Sequence, residues 1–311
     1  MHLADLPVIP LDDAAAPVAE ALGASFRRYG FALVDHHGID PQLIDRAWRL
    51  TGEFFALPDT DKRRYFIPGL AGARGYTPFG TEVAKGARHR DLKEFWHVGR
   101  DLPPGHPLAA SMPPNLWPDR PAGFRGTFSR LYEQFDRAGA VILSRVAVHL
   151  GLDHDWFDEA IAEGNSVLRL LHYPPVSDGG AGAIRAGAHE DINLITLLLG
   201  AEEAGLELKG ADGEWLAVSP PRGSLVVNIG DMLQRLTNQV LPSTSHRVRN
   251  PAAERAGFSR YAMPFFLHLR SDFAIRTLPQ CVSAQNPDRY PVPITADDYL
   301  QERLWEIGLK N

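Results

Sequence analysis

The chain has 311 residues, of which 44% are hydrophobic and 23% charged, as is typical of a globular protein. Its formal net charge of −6 disfavours nucleic acid as a partner, because neutralising phosphates requires clustered lysine and arginine. The single cysteine, Cys281, excludes a disulfide framework within the chain, and no apolar run is long enough to cross a bilayer. With an N-terminus that lacks a basic start and a long apolar run, these features predict a cytoplasmic protein without a membrane partner.

The first half of the chain has the pattern of helices and loops around a few strands. Helices are predicted over residues 14–29, 40–57 and 122–150. The second begins with Asp40 as N-cap and Pro41 in the first turn, and the first ends at Gly30 before a strand-like run at 31–34. Between them and the third helix, residues 68–118 are rich in Gly and Pro, which predicts long loops with few regular elements.

After Asn165 the pattern changes to short apolar segments separated by Gly, Pro and Asp. Seven strands are predicted, over residues 167–173, 192–199, 206–208, 215–218, 225–229, 246–249 and 258–267. With no helix expected between them, they indicate an antiparallel sandwich or barrel. A further helix is predicted over residues 296–307.

Three residues of this second half suggest a metal site. In a strand, side chains two apart face the same way, so His189 and Asp191 can point at one ion. His246 would complete a set of two histidines and one carboxylate. Such a set occupies one side of an octahedral ion and leaves the other positions open, as ferrous oxygenases require.

Taken alone, a His-x-Asp triplet is weak evidence. Among 12 histidines about one such triplet is expected by chance, and a second one, His89-Arg90-Asp91, does occur in a polar segment with no apolar strand attached. The triplet that starts at His189 instead leads directly into the apolar run 192–199. Position 193 is Asn where the zinc-protease motif needs a second His, so that helical zinc site is excluded.

Several segments together carry a resemblance to a known family. They are RRYGFALVDHHGID, LRLLHYPP, AHEDINLITLLL, VVNIGDMLQRLTN, SHRV and FSRYAMPFFLH. In this combination, which spans most of the chain, the sequence resembles the isopenicillin N synthase-like branch of the iron(II) and 2-oxoglutarate-dependent oxygenases. The resemblance implies a mainly β protein whose core is a double-stranded β-helix, or jelly roll, with N-terminal helices packed outside it.

The resemblance also implies a single oxygenase domain over residues 1–311. Its parts would be a helical and loop-rich segment at 1–165, the jelly-roll core at 166–270 and a C-terminal strand and helix at 271–311. The implied activity is a dioxygenase reaction that uses dioxygen and 2-oxoglutarate to oxidise a C–H bond of a small molecule, by hydroxylation, desaturation or ring closure.

The implied roles fall on particular residues. Fe(II) would be bound by His189, Asp191 and His246, and no other catalytic residue is implied. Arg260 would pair with the far carboxylate of 2-oxoglutarate, to which Tyr173 would also hydrogen-bond. A guanidinium suits this task because it presents a planar, permanently charged fork to a carboxylate.

The sequence departs from the family at one position of the co-substrate strand. The family's usual motif is Arg-x-Ser, but here Ala262 stands in place of Ser and offers no hydroxyl. Co-substrate binding could then be weaker, or Arg169 or another donor could compensate, because Arg169 lies on the same strand face as Tyr173. Otherwise Arg169 would form an ion pair elsewhere. Two alternatives stay open: a family oxidase that uses no 2-oxoglutarate, and a catalytically silent binding protein.

Further predictions concern five residues outside the proposed metal and co-substrate sites. Asp231 and Asn238 are expected to be structural turn residues, and Cys281 to be a bystander. His97 and Phe79 are candidates for a substrate pocket.

Overall fold

Helices lie mainly in the first half of the chain. The computed structural model describes residues 2–70, 72–81, 91–175, 184–200, 205–251 and 253–306. Within these ranges the α-helices are α1 (Ala15–Tyr29), α2 (Pro41–Phe55), α3 (Asp59–Arg63), α4 (Phe124–His149), α5 (Asp158–Ile161), α6 (Asp231–Leu236) and α7 (Ala296–Glu306). None of them is long and apolar enough to cross a membrane.

The ends of α1 and α2 follow from local chemistry. Asp40 caps α2 by accepting a hydrogen bond of 2.9 Å from the Gln42 amide, and Pro41 occupies the first turn, as expected. Gly30 ends α1 in a left-handed conformation with φ of 67°. A Cβ atom built there would lie 2.2 Å from Thr244 Oγ1, so both the conformation and the close approach require glycine.

The described residues also contain fifteen strands. They are β1 (His2–Leu3), β2 (Val8–Pro10), β3 (Phe31–Asp35), β4 (Gly75–Thr77), β5 (Glu94–Gly99), β6 (Val167–Tyr173), β7 (Ala186–His189), β8 (Ile195–Leu199), β9 (Leu206–Lys209), β10 (Trp215–Ala217), β11 (Leu225–Ile229), β12 (His246–Val248), β13 (Arg260–Leu267), β14 (Ala274–Ile275) and β15 (Ile294–Thr295).

Two sheets form the jelly-roll core. The larger has the order β2-β3-β11-β8-β13-β6-β5-β4, and the smaller the order β1-β10-β9-β12-β7. A small separate ladder joins β14 and β15. Except for β2 with β3 and β1 with β10, neighbouring strands run antiparallel. The predicted fold class, mainly β with a double-stranded β-helix core and helices outside, is confirmed.

Helix α4 packs on the outer face of the larger sheet. Phe135 stacks on Phe265 of β13 with ring centroids 5.3 Å apart and planes 6° from parallel. Gly139 lets the helix approach closely, since a Cβ there would lie 2.2 Å from Leu267 Cδ1. Each ring is fully buried, a contribution of about 1.5–3 kcal/mol per side chain. The helix thereby fixes β13, whose opposite face lines the functional cavity.

Several sequence predictions differ from the structure. The segment predicted as loops, 68–118, contributes β4 and the fully buried β5 to the larger sheet. Helix α6 lies between β11 and β12, where no helix was expected. The strand predicted over 192–199 begins only at Ile195, because the residues before it form a turn. Position 307 of the predicted last helix lies outside the described residues.

Candidate metal centre

Three side chains converge at one end of the smaller sheet. His189 ends β7 and His246 begins β12, and the two strands pair so that these residues lie opposite each other. Asp191 lies in the turn between β7 and β8, so the prediction that it shares a strand with His189 is wrong. The turn nevertheless returns the carboxylate to the histidines: one ligand atom from each of the three residues lies within 4.8 Å of the others.

Backbone contacts orient both imidazole rings. His189 Nδ1 lies 2.8 Å from the Gly187 carbonyl, and His246 Nδ1 lies 3.1 Å from the Thr244 carbonyl. Because a carbonyl can only accept, each Nδ1 carries a proton, and in a neutral imidazole the lone pair is then on Nε2, free to bind a metal ion. Both Nε2 atoms are 3.8 Å from Asp191 Oδ1. Two imidazoles and one carboxylate match the donor preference of ferrous iron.

The carboxylate of Asp191 is fixed through its other oxygen. Oδ2 accepts hydrogen bonds from Thr196 Oγ1 at 2.5 Å and from Asn228 Nδ2 at 2.8 Å. Burial by itself would raise the pKa of Asp191, but His246, His189 and these two donors outweigh it and hold the pKa below its ordinary value. The group is therefore ionised at neutral pH and turns Oδ1 toward the histidines.

The surroundings of His189 favour its neutral form. Burial, followed by the proximity of His246, lowers the pKa of His189 to about 4. A neutral imidazole is the form that binds a metal ion. The electrostatics of His189 and Asp191 thus agree with their hydrogen bonds.

The ligand set opens onto a cavity between the two sheets. Polar or charged side chains on its wall, apart from the three ligands, are Lys93, Arg169, Tyr173, Thr196, Asn228 and Arg260. The β13 residues on the wall are Arg260, Ala262, Pro264 and Phe266, one face of the strand. The cavity therefore joins the metal ligands to a buried arginine.

Arg260 and Tyr173 lie side by side on the cavity wall. They lie opposite each other across the β13–β6 pairing, and the Arg260 guanidinium hydrogen-bonds the Tyr173 side chain, its Cζ 5.0 Å from the ring centroid. Arg260 is only 3% exposed, so it is not an arginine of a surface salt bridge. Burial lowers the pKa of Arg260, partly offset by Tyr173. A charged guanidinium in this setting is suited to an anion.

Arg169 lines the same cavity, four residues before Tyr173 on β6. Its Nε donates a 2.5 Å hydrogen bond to His97 Nε2, and its guanidinium lies 4.2 Å from the centroid of Phe95 and 5.3 Å from that of Phe266. His97 is thus one side chain removed from the cavity wall. Phe79, by contrast, is 49% exposed and is not among the described residues that line the cavity.

Three other residues for which the sequence analysis made predictions contact the surrounding fold. Asp231 is the first residue of α6 and forms a 3.2 Å ion pair with Arg303 of α7, so it is more than a turn residue. Asn238 hydrogen-bonds the carbonyls of Cys281, Asn286 and Pro287. The Cys281 thiol is buried, and burial raises its pKa.

Of the second His-x-Asp triplet, only Asp91 is among the described residues. His89 and Arg90 lie outside the described residues. Asp91 is buried, accepts a 3.1 Å hydrogen bond from the Gly187 amide and forms a 2.8 Å ion pair with Lys93. Its carboxylate therefore supports β7 next to the metal ligands, although the sequence indicated a polar segment with no apolar strand attached.

Sequence reasoning missed the roles of Thr196, Asn228 and Lys93. Asn228 had a signal: it is the one polar residue within the apolar strand β11, in the segment VVNIG. A polar side chain on a buried strand needs a partner, and here the partner is Asp191. Thr196 and Lys93 had no comparable signal, because β-branched residues are common in strands and Lys93 lies in a polar segment.

Comparison with known proteins agrees with this geometry. Residues 4–120 match the family described as the N-terminal region of a non-haem dioxygenase in morphine synthesis, and residues 164–269 match the 2OG-Fe(II) oxygenase superfamily. A 2-oxoglutarate-dependent dioxygenase, citB of Monascus ruber, is 34% identical over 307 residues, which cover 94% of this chain and 90% of that protein.

Solved structures show the same relationship. A 2OG-Fe(II) oxygenase family protein from Caulobacter crescentus is 53% identical, with a TM-score of 0.91 and coverage of 98% of this chain and 99% of that chain. A full-length Neurospora crassa protein, solved in complex with alpha-KG, is 28% identical, with a TM-score of 0.85 over 96% and 95% of the two chains. The chain therefore belongs to the isopenicillin N synthase-like iron(II) and 2-oxoglutarate-dependent oxygenases and is a dioxygenase of that family.

Proposed function

We propose that the enzyme oxidises a C–H bond of a small molecule at an Fe(II) ion bound by His189, Asp191 and His246. The observation that carries this proposal is the convergence of three oriented ligand atoms within 4.8 Å on a cavity that also contains Arg260. Bound ferrous iron would supply the activation of dioxygen, with 2-oxoglutarate as the source of electrons. The chain's own residues hold the ion, bind the co-substrate and shape the cavity.

Arg260 and Tyr173 are the proposed site for the far carboxylate of 2-oxoglutarate. The pairing of β13 with β6 places both side chains on the cavity wall, and their mutual hydrogen bond orients the guanidinium. In a buried setting the attraction between a guanidinium and a carboxylate is stronger than at a surface. A dicarboxylate could then span the cavity from Arg260 toward the metal ligands.

We propose that Arg169 also contributes to co-substrate binding, but from a position along the cavity that differs from that of Arg260 and Tyr173. It lies against Phe266, which pairs with Thr196, and Thr196 in turn hydrogen-bonds Asp191. This neighbourhood favours the metal end of the cavity, where the keto acid and the substrate would meet, over the far carboxylate.

The remaining proposals concern the setting of the enzyme. We propose a single domain over residues 1–311, supported by the larger sheet, which takes β2 to β5 from the first half and its other strands from the second. The net charge of −6 supports a small molecule over nucleic acid as the partner. The lone Cys281 supports a reducing location, the cytoplasm.

A turnover experiment tests this function. Protein with Fe(II) is incubated aerobically with 2-oxoglutarate and a panel of small molecules, and succinate is measured. Compounds that resemble the substrate should stimulate succinate formation in the wild type and give none in Asp191→Ala. Failure of the wild type to bind Fe(II) would favour the silent binding protein.

Arg260→Ala separates the two enzymatic alternatives. The change removes the partner of a buried carboxylate, a loss on the order of 3–5 kcal/mol in 2-oxoglutarate binding, while Fe(II) binding is retained. Unchanged 2-oxoglutarate affinity would contradict the role of Arg260. No 2-oxoglutarate binding to the wild type would favour an oxidase.

A further inference from the structure

Arg185 is a fully buried cation just before β7. Its side chain is 0% exposed, and its Nη2 donates a 3.2 Å hydrogen bond to the Phe258 carbonyl. Among the described residues, neither its Nε nor its Nη1 finds a hydrogen-bond acceptor. A buried guanidinium with two unsatisfied donors carries a large desolvation cost, and the field of a nearby anion would offset part of it.

Arg185 lies near the end of the cavity that Arg260 occupies. The Cζ atom of Arg185 is 6.0 Å from the centroid of the Tyr173 ring, and that of Arg260 is 5.0 Å from the same centroid. Phe258, which accepts the hydrogen bond from Arg185, is two residues before Arg260 in the chain. Two guanidinium groups therefore flank a single aromatic ring of the cavity wall.

The two positive charges oppose each other. Burial, and after it the charge of Arg260, lowers the pKa of Arg185 to about 10, so the group still carries its proton at neutral pH. The described ion pairs include no carboxylate bound to Arg185. Two like charges close together in a buried place repel each other, and a negatively charged ligand nearby would reduce that cost.

Burial alone does not single out Arg185. Arg74 is 2% exposed, and its Nε and Nη2 also lack acceptors among the described residues. Its charged surroundings differ, however, because Tyr132 and Asp101 partly offset the effect of burial on its pKa, and no second arginine opposes it. What distinguishes Arg185 is its position beside Arg260 and Tyr173.

We propose that Arg185 is a positioning residue for the co-substrate, whose charge beside Arg260 attracts the far carboxylate and replaces the hydroxyl that Ala262 lacks. The inference rests on the proposed function of this cavity. Arg185 is not on the cavity wall, so it acts through its field and through the Tyr173 ring that it flanks. The arrangement selects a 2-oxo acid that bears a second carboxylate.

Binding measurements with two ligands test the proposal. The anaerobic Fe(II) protein is titrated with 2-oxoglutarate and with 2-oxopentanoate, which lacks the far carboxylate. Arg185→Met should weaken 2-oxoglutarate binding roughly tenfold or more and leave 2-oxopentanoate binding unchanged. Arg185→Lys should recover part of the affinity because it keeps the charge. Arg74→Met is the matched control and should bind both acids as the wild type does.

Thermal unfolding of the metal-free, ligand-free protein gives an independent readout. Arg185→Met removes a buried like-charge contact, so the midpoint should be unchanged or raised, whereas removing a structural arginine would lower it. Unchanged 2-oxoglutarate affinity in Arg185→Met, with normal wild-type binding, would overturn the inference alone. A lowered unfolding midpoint of Arg185→Met, together with equal losses of affinity for 2-oxoglutarate and 2-oxopentanoate, would also overturn it. A wild type that binds no 2-oxoglutarate would instead reject the proposed function.

Discussion

Asn228 holds the carboxylate of Asp191 through the oxygen that the histidines do not approach, with Nδ2 2.8 Å from Oδ2. Asn228 lies on β11 directly opposite Thr196 on β8, and Thr196 donates to the same oxygen. Two adjacent strands, β8 and β11, thus orient the carboxylate of Asp191, although Asp191 itself lies in a turn. The rigidity of the proposed metal site comes from the larger sheet.

Asn228→Ala should therefore weaken Fe(II) binding without removing a ligand. Loss of the amide donor frees the Asp191 carboxylate to rotate, and such supporting residues typically contribute about 10- to 100-fold, by the order of magnitude known for metal sites. Anaerobic Fe(II) titration would measure the change. Asn115→Ala is a suitable control, because Asn115 bonds Gly99 and Asp101 away from the metal ligands. Equal Fe(II) affinity in the two variants would contradict the role of Asn228.

Asp191→Ala should abolish stoichiometric Fe(II) binding, because it removes the only carboxylate of the proposed set. Asp91→Asn is the matched comparison, since Asp91 belongs to the other His-x-Asp triplet. That variant should keep one Fe(II) per chain, although it weakens the ion pair with Lys93 and so lowers stability. Metal analysis after dialysis distinguishes the two outcomes. Retention of tightly bound iron by Asp191→Ala would show that the assignment is wrong.

Ala262→Ser should strengthen 2-oxoglutarate binding. Ala262 lies two residues from Arg260 on the same face of β13, so a hydroxyl there can reach the same carboxylate. The expected gain is about 1 kcal/mol, up to roughly tenfold in affinity. Anaerobic titration of the Fe(II) protein measures it, through the charge-transfer band of the chelate. Weaker binding by the serine variant would mean that Ala262 makes room for another group.

Glu94 should make folding stability depend on acid pH. It is 3% exposed and accepts from Lys62 Nζ at 2.8 Å, from His172 Nδ1 at 2.7 Å and from the Tyr76 hydroxyl. Burial would raise the pKa of Glu94, but these three partners outweigh it and hold the pKa below its ordinary value of 4.5. The resulting stabilisation is complete above that value and is lost as pH falls through the folded pKa.

Glu94→Gln tests this linkage. At neutral pH the variant should lose on the order of 3–5 kcal/mol of unfolding free energy, because Lys62 stays buried without its partner. At an acid pH below the depressed folded pKa of Glu94, the difference from the wild type should shrink, because the wild-type carboxylate is then protonated too. Urea unfolding at both pH values measures the effect. A difference that is the same at both would refute the depressed pKa.

The sequence predicted the parts of the fold that depend on local chemistry. The Asp40 cap, the stop at Gly30 and the bounds of β6 and β11 follow from residue preferences within a few positions, and each is confirmed. Strand β5 was missed because its residues, EFWHVG, include Glu94 and His97, whose buried partners come from elsewhere in the chain. No local pattern carries that information.

The candidate site likewise contains residues that the sequence could predict and others whose role depends on the folded chain. His189, Asp191 and His246 were found from their types and from the family resemblance, and the structure brings them together. The argument that placed the first two on one strand was wrong, because a turn intervenes. Arg185 had no sequence signal, since its significance depends on distances to Tyr173 and Arg260 that only the folded chain defines.

The pairing of β3 with β11 has a consequence for synthesis on the ribosome. These neighbours in the larger sheet are roughly 190 residues apart in sequence, so nascent β3 must wait for most of the chain to be translated before it acquires its partner. Until then its apolar edge is open to other chains. Helix α1, which contacts β3 and precedes it, can cover one face early. Variants that loosen this helix should therefore reduce the yield of folded protein in cells more than they reduce the activity of the molecules that do fold.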